Sequence, residues 1–416
     1  MLEKFKAVGY TNIVNSSRKE TIFKTKMQVL LLMPVFLLVL GCTLSMSKLL
    51  GIAVLLRVFL CWKYKRSYSK AIFKSKLFKQ SIIFMSVYLL LLLIPTLIMH
   101  GNIGEIGHYA ERMLPFFLLL FVTDENTDIW SVLWLAVSVG LFIVCLTTIP
   151  DVFSTSGRLH GFFGGANSLG GILALCMPLC YFGIYKFYEN KKLVVFSSLL
   201  LLVAVILMVL TQSRGAALGW IASVVAFLVG IALKHSWGRE KIFSYITIVV
   251  LFLLAFSFVN KDMGLNFDRN IAKDARVALL KSSWHMFKDH PLLGVGVGNW
   301  RVEYDTNYGL NNIEKHMDSP HNIFLQELNE AGIIGLGGFL TLLSFQYCHL
   351  LKSAQADIKS TLPKLHWPFV ILLTYVVTLI HGQVDYIFFQ RSYQMLYWLL
   401  WGVYCWSVTY EKRLHR

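Results

Sequence analysis

A histidine and an asparagine, His321 and Asn322, stand immediately before a long apolar stretch of the sequence that is rich in glycine. Histidine is the side chain best suited to take a proton from a hydroxyl group near neutral pH. Ser319 fits the N-cap position of a helix and Pro320 its first position, so we predict that His321 and Asn322 lie in the first helical turn. His321 is then a candidate general base, and Asn322 orients it or caps the helix. Two polar residues nearby are alternatives to His321: His316 and Asp318.

Three arginines lie at the ends or the start of helical segments. Arg158 precedes Asn167, where an apolar segment begins, and Arg214 lies in a Ser-Arg-Gly turn between two apolar segments. Arg276 opens an amphipathic stretch, where a charge on a solvated helix face is an equally good interpretation. An arginine at the end of an apolar segment can also anchor lipid headgroups. Two further arginines, Arg112 and Arg391, fit this role of anchoring lipid headgroups.

The segments between these residues are long enough to cross a membrane. The chain has 416 residues, of which 56% are hydrophobic and 15% are charged, with a mean hydropathy of +0.60. Its apolar residues fall into blocks of about twenty, the length of a membrane-spanning helix, and the blocks lack the alternation of a barrel strand. We therefore predict an all-α polytopic membrane protein with about twelve transmembrane helices. The predicted spans are 27–45, 46–62, 81–99, 106–122, 129–149, 167–187, 193–211, 215–233, 242–259, 322–350, 367–388 and 394–410.

The distribution of Lys and Arg predicts the orientation. With both termini in the cytoplasm, the inside segments hold 25 of these residues and the outside segments 12, so the excess lies inside as expected. The net charge of +16 therefore reflects topology and does not indicate nucleic-acid binding. The predicted organisation is helices 1–9 in residues 1–259, a periplasmic loop with short helices in 260–321, and helices 10–12 in 322–416. Four segments then lie on the outside of the membrane: 154–171, 211–220, 260–321 and 381–392.

Several kinds of site are not indicated. The 7 cysteines lie in or beside apolar segments without paired spacing, which predicts neither disulfides nor a zinc site. The Gly-rich segment 294–299 lacks the strand–turn–helix context of a phosphate-binding loop. Three aspartates of the long loop are spaced by six and do not share a helical face, so we expect no metal and no cofactor. These aspartates are Asp262, Asp268 and Asp274.

Four segments, in order, resemble the bacterial O-antigen ligase and O-antigen polymerase superfamily. They are RLHGFFGGANSLGGILAL with Arg158 and Asn167, LTQSRGAALG with Arg214, DARVALLKSSWHMFKDHPLLGVGVGNW with Arg276, and SPHNIFLQELNEAGIIGLGGF with His321 and Asn322. Together they cover most of residues 150–340. The N-terminal third of the chain is similar to that family only in hydropathy.

The resemblance implies an O-antigen ligase of the inner membrane with its active site facing the periplasm. Its donor would be a polysaccharide on undecaprenyl diphosphate, its acceptor the lipid A–core oligosaccharide, and a single displacement would invert the anomeric carbon. His321 would be the general base, and Arg214 and Arg276 would neutralise the diphosphate leaving group with paired donors. Three residues would bind substrate: Arg158, Asn167 and Asn322.

Other functions remain open at this point. An O-antigen polymerase would use the same residues with a second lipid-linked repeat unit as acceptor. A polysaccharide-lipid transporter would line a path across the bilayer with polar residues, but here they gather at one face, and Arg57 is the main charge inside a span. A purely structural membrane scaffold ranks last, because it would not require convergent arginines.

Overall fold

The computed structural model describes residues 32–64, 71–123, 128–154, 157–236, 270–309, 317–361 and 365–414. These residues form helices joined by short turns, and they contain no strand. In chain order the helices are α1 (Leu32–Thr43), α2 (Ser47–Tyr64), α3 (Ala71–Lys74), α4 (Lys76–Ile98), α5 (Ile103–Val122), α6 (Ile129–Ser154), α7 (Ala166–Lys186), α8 (Lys191–Leu210), α9 (Arg214–Lys234), α10 (Asn270–Asp289), α11 (Trp300–Glu303), α12 (Ile323–Lys359), α13 (Pro368–His381) and α14 (Arg391–Leu414).

Six of the described helices are long and apolar enough to cross a membrane: α4, α6, α7, α8, α9 and α12. The expectation of an all-α polytopic membrane protein is confirmed at this level. The number of twelve spans remains a prediction, and the predicted span 242–259 lies outside the described residues.

Helix α7 lies at the centre of the bundle, where it contacts α6, α8, α9, α13 and α14. Small residues allow this close approach, as is common between membrane helices. A Cβ on Gly183 would collide with the ring of Trp134, and one on Gly170 would lie 2.9 Å from the Cβ of Ser213. The start of α7 is thereby held against the start of α9, so two of the predicted outside segments meet.

The long helix α12 is kinked at Gly332, which has a φ of +64°. The kink frees backbone donors that the helix would otherwise use. Ile333 donates its N–H to the carbonyl of Pro291 at 2.9 Å, so the chain that follows α10 replaces a helical hydrogen bond. A side chain at position 332 would overlap the carbonyl of Leu292, and an L-residue rarely adopts this φ. Gly332 therefore fixes where the segment after α10 docks on α12.

Arg57, the main charge within a predicted span, is fully buried in α2. Its Nη2 donates to the carbonyl of Thr123 at 3.4 Å, just beyond the end of α5. A carbonyl at a helix C-terminus lacks its helical partner and carries partial negative charge, so it suits a guanidinium. Arg57 thus joins α2 to the end of α5.

Candidate active site

Asn322 is the N-cap of α12. Its Oδ1 accepts hydrogen bonds from the backbone N–H groups of Phe324 at 2.9 Å and Leu325 at 3.0 Å. The prediction that Ser319 caps this helix, with Pro320 at its first position, is wrong. The oxygen that accepts the free N–H groups at the helix start belongs to Asn322, three residues further along the chain. Of the roles predicted for Asn322, helix capping is confirmed.

His321 consequently lies before the helix and not in its first turn. Its φ is +53°, a left-handed conformation that few non-glycine residues adopt. Such strain is typically kept where a side chain must be aimed in a particular direction. The imidazole of His321 is 27% exposed, so it is reachable from outside the protein.

The imidazole faces a buried aspartate. Nδ1 of His321 lies 3.2 Å from Oδ1 of Asp385, whose side chain is only 4% exposed. Burial alone raises the pKa of Asp385, but the hydrogen bond from His321, the nearby histidines and the backbone N–H of Tyr386 together lower it below its usual value. An ionised Asp385 accepts the Nδ1 proton, which leaves Nε2 of His321 as the proton acceptor.

Asp385 and His321 come from segments that are separated by α12 and α13. Two hydrogen bonds bring them together: the side-chain amide of Asn322 donates to the carbonyl of Gln383 at 2.9 Å, and Ile323 N–H donates to the carbonyl of Gly382 at 2.9 Å. The start of α12 is therefore bound to the turn that follows α13.

The predicted residues Arg158 and Asn167 contact each other. Nη2 of Arg158 donates to Oδ1 of Asn167 at 2.5 Å, and its Nε donates to the carbonyl of Thr211 at 3.0 Å. Arg158 therefore links the segment before α7 to the turn before α9. Arg214 follows this turn as the first residue of α9.

Arg214 is the first residue of α9, after the N-cap Ser213, and its side chain is exposed. Arg276 lies on α10 and is also exposed. With the described part of the chain, Arg276 forms no hydrogen bond or ion pair. The structure thus brings together His321 with Asp385 and Arg158 with Asn167.

A cavity of about 840 Å³ is lined by residues that neighbour the histidine–aspartate pair. Its wall includes Tyr386, which follows Asp385 and whose ring is 6.2 Å from the His321 ring, and Gln326, one turn after Asn322. Charged side chains of both signs line it. They are Glu105, Arg112, Arg301, Asp318, Glu330 and Arg391.

Arg112 and Arg391, which the sequence assigned to lipid headgroups, line this cavity and are bonded to protein groups. Nη1 of Arg112 donates to the carbonyl of Phe389 at 2.6 Å, and Arg391 forms an ion pair with Glu111. Arg391 also donates to Oγ of Ser47 at 3.0 Å. Both guanidinium groups are therefore fixed parts of the cavity.

The Gly-rich segment 294–299 forms another part of the wall. Gly294, Gly296 and Gly298 all have positive φ, and the buried carboxylate of Glu330 accepts the N–H of Gly298 at 3.0 Å. The N–H of Gly296 donates to the carbonyl of Glu330 at 2.9 Å. The turn is thus shaped to dock on α12 beside its kink.

Sequence reasoning missed Asp385, Glu330 and Arg301. A signal for Asp385 existed, since it is the only carboxylate in the predicted outside segment 381–392. Its pairing with His321 could not be read from spacing, because the two residues lie 64 positions apart. Glu330 and Arg301 gave no local signal, because their roles depend on how the Gly-rich turn docks.

Some candidates cannot be placed. His316, Asp262 and Asp268 lie outside the described residues, and the side chain of Asp274 is not described. In the ranges that the structure does describe, no group of three or more His, Cys, Asp or Glu side chains could hold a metal ion.

One family model matches part of the chain. A family model described as O-antigen ligase matches residues 199–340, about a third of the chain. The matched region includes Arg214, Arg276, His321 and Asn322, and it ends before Asp385. No curated protein matches the chain. The match over residues 199–340 supports the resemblance to the O-antigen ligase and polymerase superfamily.

Proposed function

We propose that the protein is an O-antigen ligase, an inverting and metal-independent glycosyltransferase. It moves O-antigen polysaccharide from undecaprenyl diphosphate to the lipid A–core oligosaccharide, at a site on the periplasmic face of the inner membrane, with both termini in the cytoplasm. The observation that carries this proposal is the His321–Asp385 pair, whose neighbours line a large polar cavity, in a chain whose residues 199–340 match an O-antigen ligase family model.

The pair supplies general-base catalysis. Asp385 holds the Nδ1 proton of His321, so Nε2 accepts the proton of an acceptor hydroxyl as its oxygen attacks the anomeric carbon of the donor. The new bond forms between that oxygen and the anomeric carbon while the bond to the diphosphate oxygen breaks. One such displacement inverts the anomeric configuration.

Arginines stabilise the leaving group. Negative charge grows on the diphosphate as its bond to the sugar breaks, and guanidinium groups bind phosphate oxygens with two directed donors. Arg214, at the start of α9, and Arg276, on α10, are both exposed, and we assign this role to them. Because Nε and Nη2 of Arg158 bind protein groups, we assign Arg158 and Asn167 to shaping the donor site.

The cavity suits a saccharide. Its volume of about 840 Å³ falls within the range of small-molecule sites. Carboxylate, amide and guanidinium groups offer both acceptors and donors to sugar hydroxyls, and the rings of Tyr109 and Tyr386 offer apolar faces.

An O-antigen polymerase would use the same chemistry, and the surface polysaccharide of a deletion strain separates the two functions. Loss of the ligase leaves long polymer on the carrier lipid and a bare core, which is the expected result. Core that carries one repeat unit would instead establish the polymerase.

A further inference from the structure

Behind the His321–Asp385 pair lies a second histidine that the proposed mechanism does not use. His381 is the last residue of α13, and its side chain is fully buried. Neither ring nitrogen has a hydrogen-bond partner among the residues described. Because burial of an unpaired polar ring is unfavourable, a phenylalanine or leucine would serve better if this position only filled space.

The ring is held between two helices that carry predicted site residues. A Cβ on Gly215 would lie 2.5 Å from Cδ2 of His381, and a Cβ on Gly171 would lie 3.2 Å from Cε1. Gly215 directly follows Arg214 at the start of α9, and Gly171 lies one turn after Asn167 in α7. The two glycines thus make room for His381 directly beneath the proposed donor site.

His381 also faces the carboxylate of the catalytic pair. Its Nε2 lies 4.0 Å from Oδ2 of Asp385, while Oδ1 of the same carboxylate faces His321. A separation of 4.0 Å exceeds a hydrogen bond, and a movement of about 1 Å would form one. The backbone N–H of Asp385 donates to the carbonyl of His381 at 3.1 Å, so the two residues belong to one turn.

We propose that His381 is a positioning residue for the transfer reaction. It holds the carboxylate of Asp385 toward His321, from the opposite side of the carboxylate. It also fixes the start of α9, which carries Arg214, beside this pair. The proposal rests on the proposed function, because it concerns the same reaction. His381 does not touch substrate and acts through Asp385.

A double-mutant cycle tests this role. Transfer from undecaprenyl-diphosphate-linked O-polysaccharide to lipid A–core is measured for His381→Leu, Asp385→Asn and the double variant. We expect His381→Leu to lower kcat by about 10- to 100-fold with little change in KM, but to add less than about threefold in the Asp385→Asn background, because contacting residues that act together are not additive. His381→Gln should keep more activity than His381→Leu, since its amide can donate to Oδ2.

Thr378→Val provides the control. Thr378 is buried one turn earlier in α13 and bonds to Tyr393, so this variant removes a polar group from the same helix without touching Asp385. Its effect should be small and fully additive with Asp385→Asn. If His381→Leu does not accumulate in the membrane, the cycle is run with His381→Met.

Full additivity of the His381 and Asp385 substitutions would overturn the proposal, as would equal loss in the Gln and Leu variants. Failure of the proposed function would look different from failure of the proposal for His381. If the proposed function is wrong, Asp385→Asn and His321→Ala each leave transfer intact, whatever residue stands at position 381.

Discussion

The side chain of Asn322 bonds to two segments at once. Its Oδ1 caps α12, and its Nδ2 donates to the carbonyl of Gln383 at 2.9 Å, in the turn that leads to Asp385. The asparagine therefore fixes His321, the residue before it, relative to the aspartate that His321 faces.

Two substitutions separate these functions of Asn322. Asn322→Asp keeps the capping oxygen and loses the donor to Gln383, whereas Asn322→Ala loses both. We expect Asn322→Ala to lower the free energy of unfolding by about 1 kcal/mol through loss of the cap. Asn322→Asp should be close to wild type in thermal stability, and both variants should lose transfer activity, though less than His321→Ala. A melting temperature for Asn322→Asp as low as that of the alanine variant would contradict the capping role.

The kink at Gly332 leads to a prediction about thermal stability. Gly332→Ala places a methyl group against the carbonyl of Leu292 in a left-handed conformation, so thermal stability and membrane accumulation should both fall. Gly337→Ala is the matched control five residues later in the same helix, because no atom lies within 4 Å of its new Cβ. That control should be neutral or slightly stabilising. Equal stability of the two variants would show that the kink does not require glycine.

The proposed leaving-group role of the arginines depends on guanidinium geometry. Arg214→Ala and Arg276→Ala should lose most transfer activity while the protein remains in the membrane. The Lys variants should recover little, because an ammonium group is a point charge and does not bind two phosphate oxygens in one plane. The measurement is transfer in vitro with membrane levels matched by immunoblot. Wild-type rates in both Lys variants would exclude this role.

The orientation of the chain needs its own test, since the site must face the acceptor. The split of 25 against 12 Lys and Arg predicts that residues 65–75 and the C-terminus lie in the cytoplasm and that residue 290 lies in the periplasm. Alkaline phosphatase fused at residue 290 should be active, and the same enzyme fused at the C-terminus should be inactive. An inactive fusion at residue 290 would place the site on the wrong side.

Hydropathy was sufficient to predict the long apolar helices, because a segment within lipid must satisfy all its backbone hydrogen-bonding groups internally, as a helix does. It also placed His321 and Asn322 together at a helix start. It could not identify the cap, because Ser319 and Asn322 both have a suitable oxygen and only the backbone path decides between them. It could not pair His321 with Asp385 or place His381 against Gly215, because these contacts depend on how α7, α9, α12 and α13 pack in space.

The central claim is that His321, oriented by Asp385, is the general base. The most direct measurement is the rate of transfer from undecaprenyl-diphosphate-linked O-polysaccharide to lipid A–core by His321→Ala, with His316→Ala as control. General-base assistance is worth about 10²- to 10⁴-fold, so His321→Ala should lose that much while remaining in the membrane, and His316→Ala should stay near wild type. The hydrogen bond from His321 helps to lower the pKa of Asp385, so this carboxylate stays ionised down to mildly acidic pH and continues to accept the Nδ1 proton of His321. Near-normal transfer by His321→Ala would contradict the claim, and loss of activity only in His316→Ala would assign the base to the other histidine.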